Sequence, residues 1–106
     1  MKKQVEKRRA EIDSLDRQLL NLLNRRAKIA NELGMLKLKA ELPLYDKARE
    51  LRILNRLKQI NSGPLDNSSV TSIFQLIIRE SRRIQAARRK DSNPNTPNNG
   101  NQGDRK

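Results

Sequence analysis

The stretch RRAEIDSLDRQLLNLLNRRAKIANELGMLKLKA, residues 8–40, decides the fold. Ile12, Leu15, Leu19, Leu22, Ile29, Leu33 and Leu36 recur at alternating spacings of three and four once Arg26 is counted in the series. That is the heptad pattern of a helix with one apolar seam. It predicts a single long helix over roughly 4–40, which at 1.5 Å per residue would span about 50 Å. A folded part that ends near residue 90 cannot cover such a helix alone, so a partner chain is expected on the seam. Gly34 lies inside the helix at a cost of about 1 kcal/mol relative to Ala, which points to close backbone approach there.

Outward from this stretch the chain has two breaks, at Pro43 and at Asn61-Ser62-Gly63-Pro64. They delimit a second helix over roughly 46–61, with Ile53, Leu54, Leu57 and Ile60 as its inner face and Asp46 as cap or first-turn acid. A third helix begins near Asn67 or Ser68, both good caps, and carries Val70, Ile73, Phe74, Ile77, Ile78 and Ile84. No strand pattern or internal repeat is evident. The expected architecture is all-α: one long N-terminal helix and two shorter ones per chain, in an intertwined helical homodimer. Residues 91–106, DSNPNTPNNGNQGDRK, hold no apolar residue and read as a disordered polar tail behind a domain over 1–90.

Composition narrows the chemistry. The chain of 106 residues is 34% apolar and 34% charged, and Tyr45 and Phe74 are its aromatics. The core must be aliphatic, and a monomer of this size has little of it to bury. With neither Cys nor His, the chain can form no disulfide, thiolate nucleophile, Ser-His dyad or zinc site of the usual kind. Lys+Arg number 24 and Asp+Glu 12, a net charge of +12. The tail balances its own charges, so this excess belongs to the folded part and calls for an anionic partner: nucleic acid, an acidic surface or a small polyanion. No apolar stretch is long enough for a membrane, and no apolar segment follows the basic start. The expected setting is cytoplasmic.

The informative positions are polar side chains on faces that should be apolar. Arg26 occupies a seam position between Leu22 and Ile29. Lys37, eleven residues on, lies three turns plus about 20° further round and so shares its face. Ser81 and Gln85 continue the spacing of four from Ile77. Arg49 and Glu50 precede Ile53 and Leu54 by four. Each has a plain structural explanation: Arg26 could snorkel or pair across the seam, and Lys37 could satisfy a helix dipole. Ser81 and Gln85 could bond across an interface, and Arg49 and Glu50 could be solvated. Together they are harder to dismiss. Three helices each turn cationic or amide donors inward, with one acceptor among them, and buried unpaired cations are very costly. An anionic ligand removes the contradiction.

At these residues the chain resembles the all-helical chorismate mutases. The likeness covers about residues 8–86 and reads Arg9-x-x-Ile12-Asp13-x-x-Asp16, Leu22-Leu23-x-x-Arg26, Gly34-x-x-Lys37 and Asp46-x-x-Arg49-Glu50. It ends Phe74-Gln75-Leu76-Ile77-Ile78-x-x-Ser81-x-x-x-Gln85. Position 8 is Arg where relatives usually carry an apolar residue, and the Ile12-Asp13 register favours Arg9 over Arg8 as the functional one.

The resemblance implies an intertwined homodimer with two active sites that rearranges chorismate to prephenate, on the way to phenylalanine and tyrosine. The step is intramolecular and pericyclic, without nucleophile, proton transfer, metal or cofactor, which leaves positioning and electrostatics to the enzyme. It further implies that Arg26, and Arg9 from the partner chain, grip the substrate carboxylates. Within one helix these two stand about 25 Å apart, too far for one small ligand to bridge. Arg49 and Ser81 would support the anion. Lys37 and Gln85 would donate to the ether oxygen. Glu50 would accept from the ring hydroxyl, and the Asp46 segment would offer that hydroxyl a backbone donor.

Three other readings compete. An isochorismate–pyruvate lyase would use the same fold and a similar cationic site, but Lys37, Glu50 and Gln85 together suit the mutase better. A small basic helical nucleic-acid-binding protein would explain the charge, yet it shows no helix-turn-helix spacing, and cations on inner faces could not reach phosphates. A coiled-coil adaptor would have no reason to interrupt three faces with donors. Neither nucleic acid nor membrane is expected as a partner.

Overall fold

A computed structural model describes residues 1–92. The tail expected over 91–106 lies, from residue 93 on, outside the described residues. Three α-helices follow one another: α1 over Lys2–Lys39, α2 over Lys47–Ile60 and α3 over Asn67–Ser92. Among the described residues there is no strand, and the fold is all-α as the periodicity predicts. α3 runs past the boundary expected at residue 90.

The helix ends follow from local chemistry. α1 stops in a Schellman arrangement: the Leu42 N–H donates to Lys37 O at 2.8 Å and the Glu41 N–H to Leu38 O at 3.1 Å. Glu41 takes the left-handed conformation, φ 57°, in the place glycine usually fills, and Pro43 follows. Asp46 caps α2, its Oδ1 accepting from the Arg49 N–H at 3.0 Å. The cap of α3 is Asp66 rather than Asn67 or Ser68: its Oδ1 accepts from the Ser69 N–H at 2.7 Å. The bonds from the Ser69 backbone and then its side chain hold the Asp66 carboxyl below its usual range. Asn67 serves the preceding turn instead, its Oδ1 accepting from Asn61 Nδ2 at 2.9 Å.

α3 is the element against which both other helices pack. The face that α1 turns to it is small: Ala30 and Gly34 are buried, and Ala27 is half-buried. A Cβ built at Gly34 would stand 2.9 Å from the Gln85 Cα and 3.0 Å from the Gln85 carbonyl oxygen, so the close approach expected of this glycine is present. α2 and α3 contribute Ile53, Val70 and Ile78 to the core.

Much of α1 lies outside this packing. Every residue from Met1 to Leu22 is exposed except the half-buried Ser14. Along the seam Ile12, Leu15, Leu19, Leu22 and Ile29 are 55–64% exposed. The radius of gyration is 18.3 Å and the long dimension 61 Å, against about 12–13 Å for the radius of a compact chain of this length. A single chain therefore displays its heptad seam rather than burying it. Among the described residues no helix is long and apolar enough to cross a membrane.

Candidate active site

The C-terminal half of α1, the start of α2 and the C-terminal half of α3 enclose a cleft of about 280 Å³, near the lower end of the range for small-molecule sites. Arg26 and Lys37 reach it from α1, Asp46, Arg49 and Glu50 from the start of α2, and Ser81 and Gln85 from α3. The structure thus brings together seven of the eight residues expected at a site. The eighth, Arg9, lies on the exposed N-terminal stretch of α1, outside the cleft of its own chain.

Two polar pairs join α1 to α3. Arg26 Nη1 donates to Ser81 Oγ. One turn further along α3, Lys37 Nζ donates to Gln85 Oε1 at 2.9 Å and also to Leu44 O at 3.1 Å. Gln85 is 7% exposed. Because its oxygen is taken by a cation, its amide NH₂ is the end left to donate. Ile29, Leu33, Ile53 and Ile78 supply the apolar walls.

The electrostatics are lopsided. Four cations, Arg26, Lys37, Arg49 and Arg82, line the cleft with two carboxylates, Asp46 and Glu50. Asp46 is occupied as the α2 cap, and Glu50 Oε2 pairs with Arg82 Nη1 at 2.6 Å. Burial, and then the charge of Arg49, pull the Arg26 guanidinium down from its ordinary range. A site that disfavours its own cation in this way is one an anion stabilises. The surplus of two positive charges suits a compact dianion. Bidentate guanidinium contacts suit its carboxylates.

Arg82 escaped the sequence reading. The spacing of four traced Ile77, Ser81 and Gln85, but the residues facing the cleft are Ile78, Ser81, Arg82 and Gln85, a face on which spacings of three (78 to 81, 82 to 85) and four (78 to 82, 81 to 85) both occur. Combining both spacings is the signal that would have included Arg82. Ile77 is half-buried beside the cleft rather than in it.

Residues 8–86 match the family model for chorismate mutase type II. The bifunctional chorismate mutase/prephenate dehydratase of Neisseria gonorrhoeae is 38% identical over 72 residues, which is 68% of this chain and 19% of that protein. The protein of the same description from Pseudomonas aeruginosa is 38% identical over 80 residues, 71% of this chain and 22% of that protein. The chain thus spans about a fifth of the length of these curated relatives. Among solved structures, chorismate mutase from Helicobacter pylori in complex with prephenate superposes with TM-score 0.76 at 35% identity, over 84% of this chain and 97% of that one. Chorismate mutase (form II) from Thermus thermophilus gives TM-score 0.77 at 30% identity, over 78% and 94% respectively.

Proposed function

The chain belongs to the chorismate mutase type II family, and we propose that it rearranges chorismate to prephenate in the formation of phenylalanine and tyrosine. One observation carries the reading: Lys37 Nζ and Gln85, 2.9 Å apart, lie in the same cleft as the Arg26–Ser81 pair and Arg49. Anion grips and a pair of neutral and cationic donors are the equipment this reaction needs.

In this reading the substrate dianion is held in a compact chair-like conformation by Arg26 and Arg49, with Ser81 supporting. Holding the two reacting ends together removes much of the entropic part of the barrier. The ether C–O bond then breaks as the new C–C bond forms, in one step and with no proton moved. Negative charge grows on the ether oxygen. Lys37 Nζ and the Gln85 amide donate to it, and being fixed beforehand they need no reorganisation as the charge appears. Glu50 accepts from the ring hydroxyl, and the backbone at Asp46 donates to it.

The reading includes a homodimer with shared sites. Its supports are the exposed seam of α1 and the extended shape of the single chain. Arg9 is the residue such a dimer would deliver to the partner's cleft. A cytoplasmic setting belongs to the same reading.

The test is to incubate the purified protein with chorismate and, separately, with isochorismate. Prephenate from the first and no pyruvate from the second is the expected result. Pyruvate release from isochorismate at the greater efficiency would assign the site to the lyase reaction, and no turnover of either would overturn the reading.

A further inference from the structure

Arg82 is the cation in the cleft that the proposed mechanism does not use. It stands on α3 between Ser81 and Gln85, and its side chain is 32% exposed. Its Nη1 donates to Glu50 Oε2 at 2.6 Å, where the carboxylate is 23% exposed. Its guanidinium also lies over the ring of Tyr45, 4.7 Å from the centroid. One guanidinium therefore ties α3 both to the first turn of α2 and to the loop before it.

These contacts bear on what Glu50 can do. A carboxylate has two oxygens and several acceptor directions. With Oε2 held by Arg82, Oε1 is the oxygen left to offer to a ligand. The same guanidinium also touches the loop before α2 at Tyr45. That loop contains Leu44, whose carbonyl accepts from Lys37, and Asp46, which caps α2. A Lys here would supply a point charge without the flat face and the fork. An apolar residue would leave the carboxylate free to turn.

We propose that Arg82 is a positioning residue that aims Glu50 at the ring hydroxyl of the substrate, and so makes the site selective for a ligand bearing a hydrogen-bond donor there. The inference rests on the mutase reading and deepens it. A site built to accept from a substrate hydroxyl discriminates against an analogue without it, because its acceptor is then left unpaired. Arg82 supplies the order on which that discrimination depends.

The experiment compares chorismate with the analogue in which hydrogen replaces the ring hydroxyl. Wild type, Arg82→Met and Arg82→Lys are each assayed for kcat/KM on both. Met keeps an unbranched stem over Tyr45, and Lys keeps the charge. Circular dichroism confirms folding of each, and Arg82→Gln replaces any variant that does not fold. The expected result is a fall of about tenfold for Arg82→Met on chorismate, less than twofold on the analogue, and an intermediate loss for Arg82→Lys. Discrimination between the two substrates collapses in step. Equal losses on both substrates would overturn the inference, since a merely structural role or a direct grip on a carboxylate does not depend on the hydroxyl. No loss on either would overturn it as well. If wild type forms no prephenate, the functional reading itself fails and takes this inference with it.

Discussion

Gly34 of α1 rests directly on the backbone of Gln85 in α3: a methyl placed on Gly34 would meet the Gln85 Cα at 2.9 Å and its Cβ at 3.2 Å. The glycine sets the distance between the helix that carries Lys37 and the residue Lys37 bonds. Packing and chemistry therefore meet at one contact.

Gly34→Ala should destabilise the protein although Ala is the better helix former. Overpacking against backbone costs about 1–3 kcal/mol, which outweighs the helix-propensity gain of about 1 kcal/mol at all but the low end. Urea denaturation should show a lower midpoint, and turnover should fall as α1 and α3 are pushed apart. A variant as stable and as active as wild type would mean that the helices can shift at no cost.

How much of this was legible beforehand follows from which signals are local. The length of α1 and the closeness at Gly34 could be read because periodicity and a misplaced glycine are visible in the chain itself. Six site residues, Arg26, Lys37, Arg49, Glu50, Ser81 and Gln85, could be read because each is polar on a face that should be apolar, and Asp46 because it stands where a helix cap is due. Arg82 could not be read this way, since three neighbouring arginines, Arg79, Arg82 and Arg83, look alike in sequence and only the helix register separates the inward one. The turn at Glu41 was equally silent, because its left-handed residue is not glycine. Asp66 lost to Asn67 and Ser68 as the expected cap because all three are good caps. The seam of α1 stays exposed, and no element among the described residues covers it.

Arg26→Met should separate binding from stability. The long Met side chain retains much of the packing of the Arg stem and removes a cation that burial and Arg49 disfavour. The melting temperature of the protein alone should stay level or rise, while the rise expected of wild type with prephenate should be absent. Scanning calorimetry with and without prephenate checks both. A variant that keeps the prephenate shift would remove Arg26 from the anion grip.

Lys37→Ala should lower turnover at least about 10²-fold, the loss typical of a preorganised donor to developing charge. Steady-state kinetics on chorismate would measure it. A loss below tenfold in a folded variant would reduce Lys37 to a tie between α1, Leu44 and Gln85.

Arg9→Ala and Lys37→Ala should complement each other. In a mixed dimer of the proposed kind, one site would receive Arg9 from one chain and Lys37 from the other, both intact. Random co-refolding should restore about a quarter of wild-type activity, because half the dimers are mixed and each has one good site of two. If mixed dimers form without any recovery, Arg9 serves its own chain or no site at all.

The central claim is that the Gln85 amide donates to the ether oxygen while Lys37 holds its other end, and the pH–rate profile of Gln85→Glu tests it most directly. The neutral amide donates at any ordinary pH. An ionised carboxylate in its place would draw Lys37 to itself and face the growing negative charge. Its protonated form has the shape of the amide, one oxygen accepting from Lys37 and one hydroxyl donating. Turnover of the variant should therefore be low at neutral pH and climb as pH falls through the pKa of the new acid, which burial raises and the nearby cations lower. Wild type should show no such climb, having no proton to gain at that position. A folded variant that matches wild type at pH 7, or stays flat on acidification while still binding substrate, would contradict the account.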